Sequence, residues 1–554
     1  MSSITPLPSV TRLDLADIQG NIVLPYGRYG FPWARHLLFH VADAAAGRRF
    51  LAGLYPILTS AQRWRQAPAE SSPASVPRPA WALNLGLTFS GMRALHLPTR
   101  TLDSLPEEFV DGMAARAHIL GDYGRSARGA WDPVWRADTA SAQVHLWVLI
   151  STPATSDGQP VAALAERTDW LLALAAACGG VRLLEGHRGS EPRWQDCSAI
   201  MASLPDGSRV PTAREHFGYT DGISDPVFAG QYPAPDSAIE VPGGGRLDPE
   251  HQAWQALAAG EFVLGHPCEA QELPEAAPPW TFTRNGTFMA LRKLHQNLGS
   301  VDRSLADQAT RYRQAQGGGI SDDEARATLM AKFAGRWPSG IPLMAAPTYA
   351  RAQELAARYA DVPSIQRKVT GDRTPEEVAR LQAFELLLND FRYGADPAGA
   401  VCPLTAHTRR TNPRDGLDPR LGVVGHVADT SMSNRRRILR RGLPYGDSGR
   451  REDEGEHGVL FMAVCASLFR QFEFVQQQWV QYGSVFGAGG DTDPLIGTRG
   501  THDRFTIPAD PAGEGVPFLC GRLPQYVETR GGEYFFLPSL SAVRRMAEGT
   551  VDPT

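Results

Sequence analysis

The feature that most limits what this chain can fold into is the order of its periodic segments in the first third. His36 to Val41 reads as a strand, Asp43 to Leu58 as a helix with an aspartate at its start, and Trp81 to Thr88 as a strand. Ala142 to Ile150 then reads as a strand, Val161 to Cys178 as a helix, and Gly180 to Glu185 as a strand. That order is βαββαβ, the ferredoxin-like pattern. The second half repeats it less cleanly, with strands over Thr287 to Leu294, Arg436 to Arg440, Val459 to Cys465 and Tyr534 to Leu537. A helix over Ser467 to Val480 follows the third of these, and Leu540 to Ala547 closes the chain. Between the first two lie about a hundred residues of helical periodicity, over Val301 to Gln316, Asp322 to Trp337 and Thr374 to Leu388.

The reading is therefore an α+β protein of two ferredoxin-like domains, antiparallel sheets with flanking helices. They divide as 1–215 and 216–554, the second expanded by a helical insertion at about 298–400. Pro- and Gly-rich stretches over Ala67 to Pro79, Gln231 to Gly245 and Leu273 to Pro279 read as surface connectors.

Composition narrows the function by exclusion. The chain has 554 residues and a formal charge of −5, near neutral for its size, so no basic excess exists to neutralise nucleic-acid phosphates. The one dense basic run, Arg435 to Arg441, is interrupted by Ile438 and Leu439 and reads as a half-buried strand. Six scattered cysteines show no Cys-x-x-Cys spacing, which points away from a zinc site and from covalent haem attachment. Their low density suits a reducing compartment. Met1 to Val10 carries no basic, apolar or twin-arginine signal, and the longest apolar helix candidate, Trp170 to Cys178, is far short of the roughly 20 residues a bilayer needs. The expectation is a cytoplasmic protein with no membrane partner.

Chemistry concentrates in three segments. Glu215-His-Phe-Gly-Tyr-Thr-Asp221-Gly-Ile-Ser-Asp-Pro226 sets one carboxylate between glycines that let the backbone turn and a flat ligand approach, although Asp-Gly is also a common turn pair. Cys402-Pro-Leu-Thr-Ala-His407-Thr-Arg409-Arg-Thr-Asn-Pro-Arg414 places a histidine before a basic, proline-stopped run. Ile438-Leu-Arg440-Arg441-Gly-Leu-Pro-Tyr-Gly446 follows.

In that order, Gly-x-x-Asp-Gly, His-x-Arg-x-x-Asn-Pro-Arg and Ile-Leu-Arg-Arg-Gly-x-Pro-Tyr-Gly resemble the dye-decolourising peroxidase family of haem enzymes. Further segments resemble it from end to end: Asp17 to Ile22, Gly260 to Gly265, Asn285 to Leu294, Arg470 to Phe474 and Gly532 to Pro538. One departure is Tyr219, where phenylalanine is the commoner family residue.

The resemblance implies paired ferredoxin-like domains with haem b held non-covalently in the C-terminal one. His407 would ligate the iron, which leaves an open position for peroxide. A ligating histidine donates its second N–H to an acceptor; the resemblance points to Asp493, with Asp491 as the close rival. Asp221 would move the peroxide proton, and Arg440 would stabilise the negative charge that develops as the O–O bond breaks. Arg441 should point to the opposite face if the segment is extended. Arg409 is placed to pair with a haem propionate. Val459 and Phe461 could wall the distal side, as they could in a core strand.

The function implied is oxidation of bulky aromatic or dye-like donors by hydrogen peroxide. The alternatives are a haem- or iron-handling enzyme, such as a deferrochelatase or a dehydratase, and a non-catalytic haem carrier or sensor. A carrier has no need of both Asp221 and Arg440. An aspartate acting as proton carrier places the optimum on the acid side, roughly pH 3.5–5.5 for a partly solvated carboxyl. Whether the protein is a monomer or a dimer stays open.

Overall fold

Ten strands make one sheet, and its strand order gives the reason for the repeat in the sequence. The computed structural model describes residues 13–551 except 28–29, 66–74, 190, 233–240, 249, 251–252, 275, 369–371, 448, 450, 501–503 and 510–515. Much of two expected connectors, 67–79 and 231–245, and the N-terminal stretch read for an export signal lie outside the described residues.

In chain order the strands are β1 (Trp33–Val41), β2 (Ala82–Leu87), β3 (Leu146–Thr152), β4 (Val181–Leu183), β5 (Gln195–Ser198), β6 (Thr287–Gln296), β7 (Leu439–Arg440), β8 (Leu443–Gly446), β9 (His457–Cys465) and β10 (Val527–Leu537). The helices used below are α1 (Ala44–Leu54), α2 (Ala163–Cys178), α3 (Leu298–Ala315), α4 (Asp322–Ala334), α5 (Tyr349–Arg358), α6 (Val362–Arg367), α7 (Pro375–Asn389), α8 (His407–Thr411) and α9 (Leu540–Glu548). The sheet runs β7–β9–β6–β10–β2–β3–β1–β4, with β8 also paired to β9 and β5 to β1. Each half has its last strand beside its first, its first beside its third and its third beside its second, which is the antiparallel βαββαβ arrangement twice. One pair, Phe536 with Leu87, joins the halves edge to edge.

Local chemistry explains the elements. Asp43 caps α1, its carboxylate accepting from Ala46 N at 2.7 Å. The helix stops at Leu54 because Tyr55–Ile57, which contains Pro56, tightens into a 3₁₀ turn. β6 is the central strand of its half, and its alternation sends Arg292, Leu294 and Gln296 to one face and Lys293 and His295 to the other. Its register against β10 shifts between Lys293 and Leu294. There Gly531 sits at φ +152°, and a Cβ on it would meet the Trp135 ring at 2.0 Å.

Three expectations need correction. The strand read over Arg436 to Arg440 pairs only at Leu439–Arg440 and resumes at Leu443, because Arg435–Arg437 turn aside to bind carbonyl groups and acidic side chains. The strand read from Ala142 begins at Leu146, since Ala140–Ala142 form a 3₁₀ turn. The helix read over Ser467 to Val480 is wound as π-helix over Leu468–Glu473 and Val475–Val480, a wider winding often found at functional sites.

The insertion is helical, as read. α3 to α7 lie between β6 and β7, with a satellite core that includes Trp337, Leu343, Leu355, Tyr393 and Cys402. Among the described residues no helix is long and apolar enough to cross a membrane.

Behind the sheet, Lys293 Nζ pairs with Asp132 at 2.7 Å, both side chains fully buried, and so ties the two halves together. Asp132→Ala would leave that ammonium without its closest counter-ion. We expect a loss of about 3–5 kcal/mol in folding stability, read from the midpoint of denaturant unfolding.

Candidate active site

The face of β6 that carries Arg292, Leu294 and Gln296, together with Val459 and Phe461 of β9, forms one wall of a cavity of about 320 Å³. The π-helical segment contributes Phe472, Val475, Gln476 and Val480, and the insertion supplies Ala334, Arg336 and Trp337. His407, at the start of α8, faces into it. Asp221 and Arg440 line the same space.

His407 is held from behind. Its Nδ1 donates to Asp493 Oδ2 at 2.9 Å, and Asp493 is fully buried. The other carboxylate oxygen, Oδ1, accepts from Leu495 N and Ile496 N at 2.9 and 3.0 Å. Burial raises the Asp493 carboxyl, but the His407 charge and hydrogen bond outweigh it and hold the group below the usual carboxylate range. Burial likewise disfavours a charged His407, yet the facing carboxylate wins and lifts the imidazole above its usual value. Asp493 therefore accepts, Nδ1 carries the proton, and Nε2 has no hydrogen-bond partner among the described residues. Asp491, the rival, lies instead beside Arg504 at 3.4 Å.

Arg410 sets this geometry and has no counterpart in the sequence reading. Buried, it donates to the carbonyls of Val480 and Asp491 at 3.0 Å each, and so clamps α8 to the loop that carries Asp493.

Elsewhere on the lining of the same cavity, Arg440 forks. One guanidinium nitrogen meets Asp221 Oδ1 at 2.7 Å and the other meets the Ile223 carbonyl at 2.7 Å. Asp225 steadies the pair: its Oδ1 accepts from Arg440 N at 3.1 Å and its Oδ2 takes Arg441 at 2.6 Å. Arg441 points away, to the carbonyls of Asn21 and Ile22. The alternation expected of neighbouring residues is present, and it is Arg440 that reaches the cavity. Burial works against the Arg440 cation, but the Asp221 and Asp225 carboxylates hold it in the charged form. The Asp221 side chain remains 54 % exposed, open to a small reactant.

Arg409 needs correction. It turns away from the cavity, buried, and pairs with Asp396 at 3.0 Å, with the Cys402 carbonyl at 2.6 Å and with the Tyr393 ring. Two residues along a helix rotate a side chain by roughly 200°, so a residue two beyond His407 faces the opposite way.

Cations that face the cavity come from elsewhere. Arg336, Arg414 and Arg437 line it, all buried; their hydrogen bonds go to carbonyl groups and the Ser224 hydroxyl, and Arg336 and Arg414 also lie over the Phe391 ring. Among the described residues no carboxylate bonds any of them. Burial pushes them down to about 10, 9 and 10 respectively. Three buried guanidinium charges of this kind call for an anion.

The residues fit a haem on these observations: an imidazole anchored at Nδ1 with Nε2 turned to the cavity, largely apolar walls, and buried cations suited to a carboxylate edge. Among the described residues no cluster of three metal-binding side chains competes for the role.

A tandem ferredoxin-like fold whose cavity is lined by an anchored histidine and by an aspartate–arginine pair is an arrangement that suits an enzyme of the peroxidase class. Comparison with known proteins narrows the class. The family model for the C-terminal part of Dyp-type peroxidases matches residues 366–488. Peroxidase 2 of Mycetinis scorodonius is 27% identical over 554 residues, covering 96% of this chain and 87% of that protein. A multifunctional dye peroxidase of an Amycolatopsis species is 27% identical over 528 residues, covering 92% of this chain and 91% of its own. Among solved structures, a fungal DyP-type peroxidase from Auricularia auricula-judae superposes with a TM-score of 0.67 at 23% identity, covering 97% of this chain and all of the other. A dye-decolourising peroxidase in complex with 2,6-dimethoxyphenol superposes with a TM-score of 0.67 at 24% identity, with the same coverage. Over nearly its whole length the chain is thus similar to dye-decolourising peroxidases, and its residues 366–488 match their C-terminal family model.

Proposed function

We propose that this enzyme holds haem b non-covalently and uses hydrogen peroxide to oxidise aromatic, dye-like donors, with His407 as the residue that would hold the cofactor and Asp221 and Arg440 as the pair that would act on peroxide. The observation that carries the reading is the placing of His407, backed by Asp493, in the same cavity as the Asp221–Arg440 pair. When bound, haem supplies an iron that takes peroxide and stores the oxidising equivalents donors later discharge.

The chain's own residues do the rest. His407 Nε2 would be the iron ligand, and Asp493, accepting from Nδ1, fixes the ring and would make it more electron-rich. Arg336, Arg414 and Arg437, which line the cavity, would hold the carboxylate edge in place of Arg409. Asp221 would accept a proton from one oxygen of hydrogen peroxide and return it to the other. Arg440 neutralises negative charge on the separating oxygens; the Asp221 and Asp225 contacts fix it beforehand, so little reorganisation is left to the reaction. Val459 and Phe461 keep bulk water from the reacting atoms. The 2,6-dimethoxyphenol complex of a structural relative supports phenol-like donors as the reductant class.

The test is direct. The purified haem-loaded protein should show a Soret band that changes on one equivalent of peroxide and returns when a phenol or an azo dye is added, with the dye consumed. A Soret band that peroxide leaves unchanged would favour a carrier and overturn the proposal.

A further inference from the structure

Glu215 opens the motif that carries Asp221, lines the cavity and has no part in the chemistry above. Its carboxylate is a hub. Oε2 accepts from Phe217 N at 2.9 Å and from Gln296 Nε2 at 2.6 Å, and Oε1 accepts from Tyr219 N at 2.8 Å. Gln296 stands on β6, so the hub joins a glycine-containing loop to a central strand of the half.

The backbone around it closes a compact turn. Gly218 N donates to the Glu215 carbonyl at 2.9 Å, Glu215 N to the Tyr219 carbonyl at 3.1 Å, and Asp221 N to the Ala213 carbonyl at 2.7 Å. Gly218 sits at φ +100°, a conformation that side-chain-bearing residues rarely adopt, so the loop needs an anchor to stay in it. The Tyr219 hydroxyl adds a second tie, to the Met330 carbonyl of α4 at 2.9 Å.

We infer that Glu215 is a positioning residue for the peroxide step: by binding the amides of Phe217 and Tyr219 to strand β6 through Gln296, it fixes the loop so that the Asp221 carboxylate meets Arg440 at 2.7 Å. The inference rests on Asp221 being the proton carrier. A carboxylate suits the place because all three groups facing it are donors, and only an ionised acid accepts on every side. Burial raises the Glu215 carboxyl, its hydrogen bonds to Gln296 and to the Phe217 and Tyr219 amides act against that, and with the nearby Asp221 charge the group stays above its usual value.

Glu215→Gln keeps the size and presents an amide N–H to at least one donor, which the loop must move to relieve. The experiment compares wild type, Glu215→Gln, Gln296→Ala, Asp221→Asn and the Glu215→Gln/Asp221→Asn double variant. All are haem-loaded, and the rate of reaction with hydrogen peroxide is followed across pH. Glu215→Gln should keep its haem content and Soret maximum, lose about 10–100-fold in peroxide rate, as a displacement near 1 Å costs, and move its optimum to higher pH as the Arg440 contact loosens. Gln296→Ala removes one donor without opposing another and should show a smaller loss in the same direction. The double variant should be no slower than Asp221→Asn, since both act through one group.

If Asp221→Asn is slow while Glu215→Gln keeps both the wild-type rate and profile, the positioning role is wrong and the proton carrier stands. If Asp221→Asn is as fast as wild type, the proton-carrier reading fails, and a role acting through it fails too. Loss of haem from Glu215→Gln, or a further loss in the double variant, would make Glu215 a support of the pocket as a whole and overturn the inference.

Discussion

His407→Ala yields a protein that folds but does not retain haem, read as the loss of the Soret band after gel filtration with added haem. The reason is particular to this histidine. Among the cavity-lining residues His407 is the sole imidazole, its Nδ1 is engaged by a fully buried carboxylate, and its Nε2 faces the cavity. His216, adjacent to Glu215, spends its Nε2 on the Tyr445 carbonyl at 2.9 Å, and burial lowers it to about 4. Such a ring cannot turn to replace a lost ligand without breaking that bond. Asp493→Asn tests the same unit more gently: haem stays, and the electronic spectrum shifts because the ring loses its charged acceptor. Normal haem content in His407→Ala with an unshifted spectrum would remove His407 from the ligand role.

The second large effect is kinetic. Arg440→Leu should keep its haem and slow the peroxide step by about 10²–10³-fold, the usual cost of deleting one preorganised donor at a developing charge. Arg441→Leu makes the contrast. Its guanidinium binds Asp225 and the carbonyls of Arg440, Asn21 and Ile22 and does not line the cavity, so its loss should lower stability and slow the peroxide step much less than Arg440→Leu does. If Arg441→Leu is the slow variant and Arg440→Leu is not, the strand register around β7 is misassigned.

What could be read from the sequence divides along physical lines. Strands with strict alternation or long apolar runs, such as Val459 to Cys465, and amphipathic helices with clear starts, such as Pro375–Asn389 capped by Thr374 and Glu377, come through because burial imposes a period. The first half of β10 does not, because Gly531 and Gly532 depress strand propensity where the backbone needs room beside Trp135. The short β5 is equally silent: four residues are too few to show a period. At the site, the residues that the motifs pick out, Asp221, His407 and Arg440, line one cavity. Arg409 was misplaced because spacing along the chain does not reveal which way a short helix faces. The cationic set of Arg336, Arg414 and Arg437 was missed for a related reason: the three are brought together from three distant segments, and only burial without a carboxylate marks them. The π winding of 468–480 leaves no trace in a pattern that an ordinary helix would fit as well.

The central claim is that Asp221 carries the peroxide proton with Arg440 beside it, and a single comparison reaches it. The rate of reaction of haem-loaded protein with hydrogen peroxide, measured by stopped-flow absorbance from about pH 3 to 8, is set against that of Asp221→Asn. The account predicts an acid-side optimum, within roughly pH 3.5–5.5, that disappears in the variant together with a loss of orders of magnitude in rate. An optimum at neutral or alkaline pH that the substitution leaves untouched would contradict it, and would pass peroxide activation to Arg440 or to a bound water.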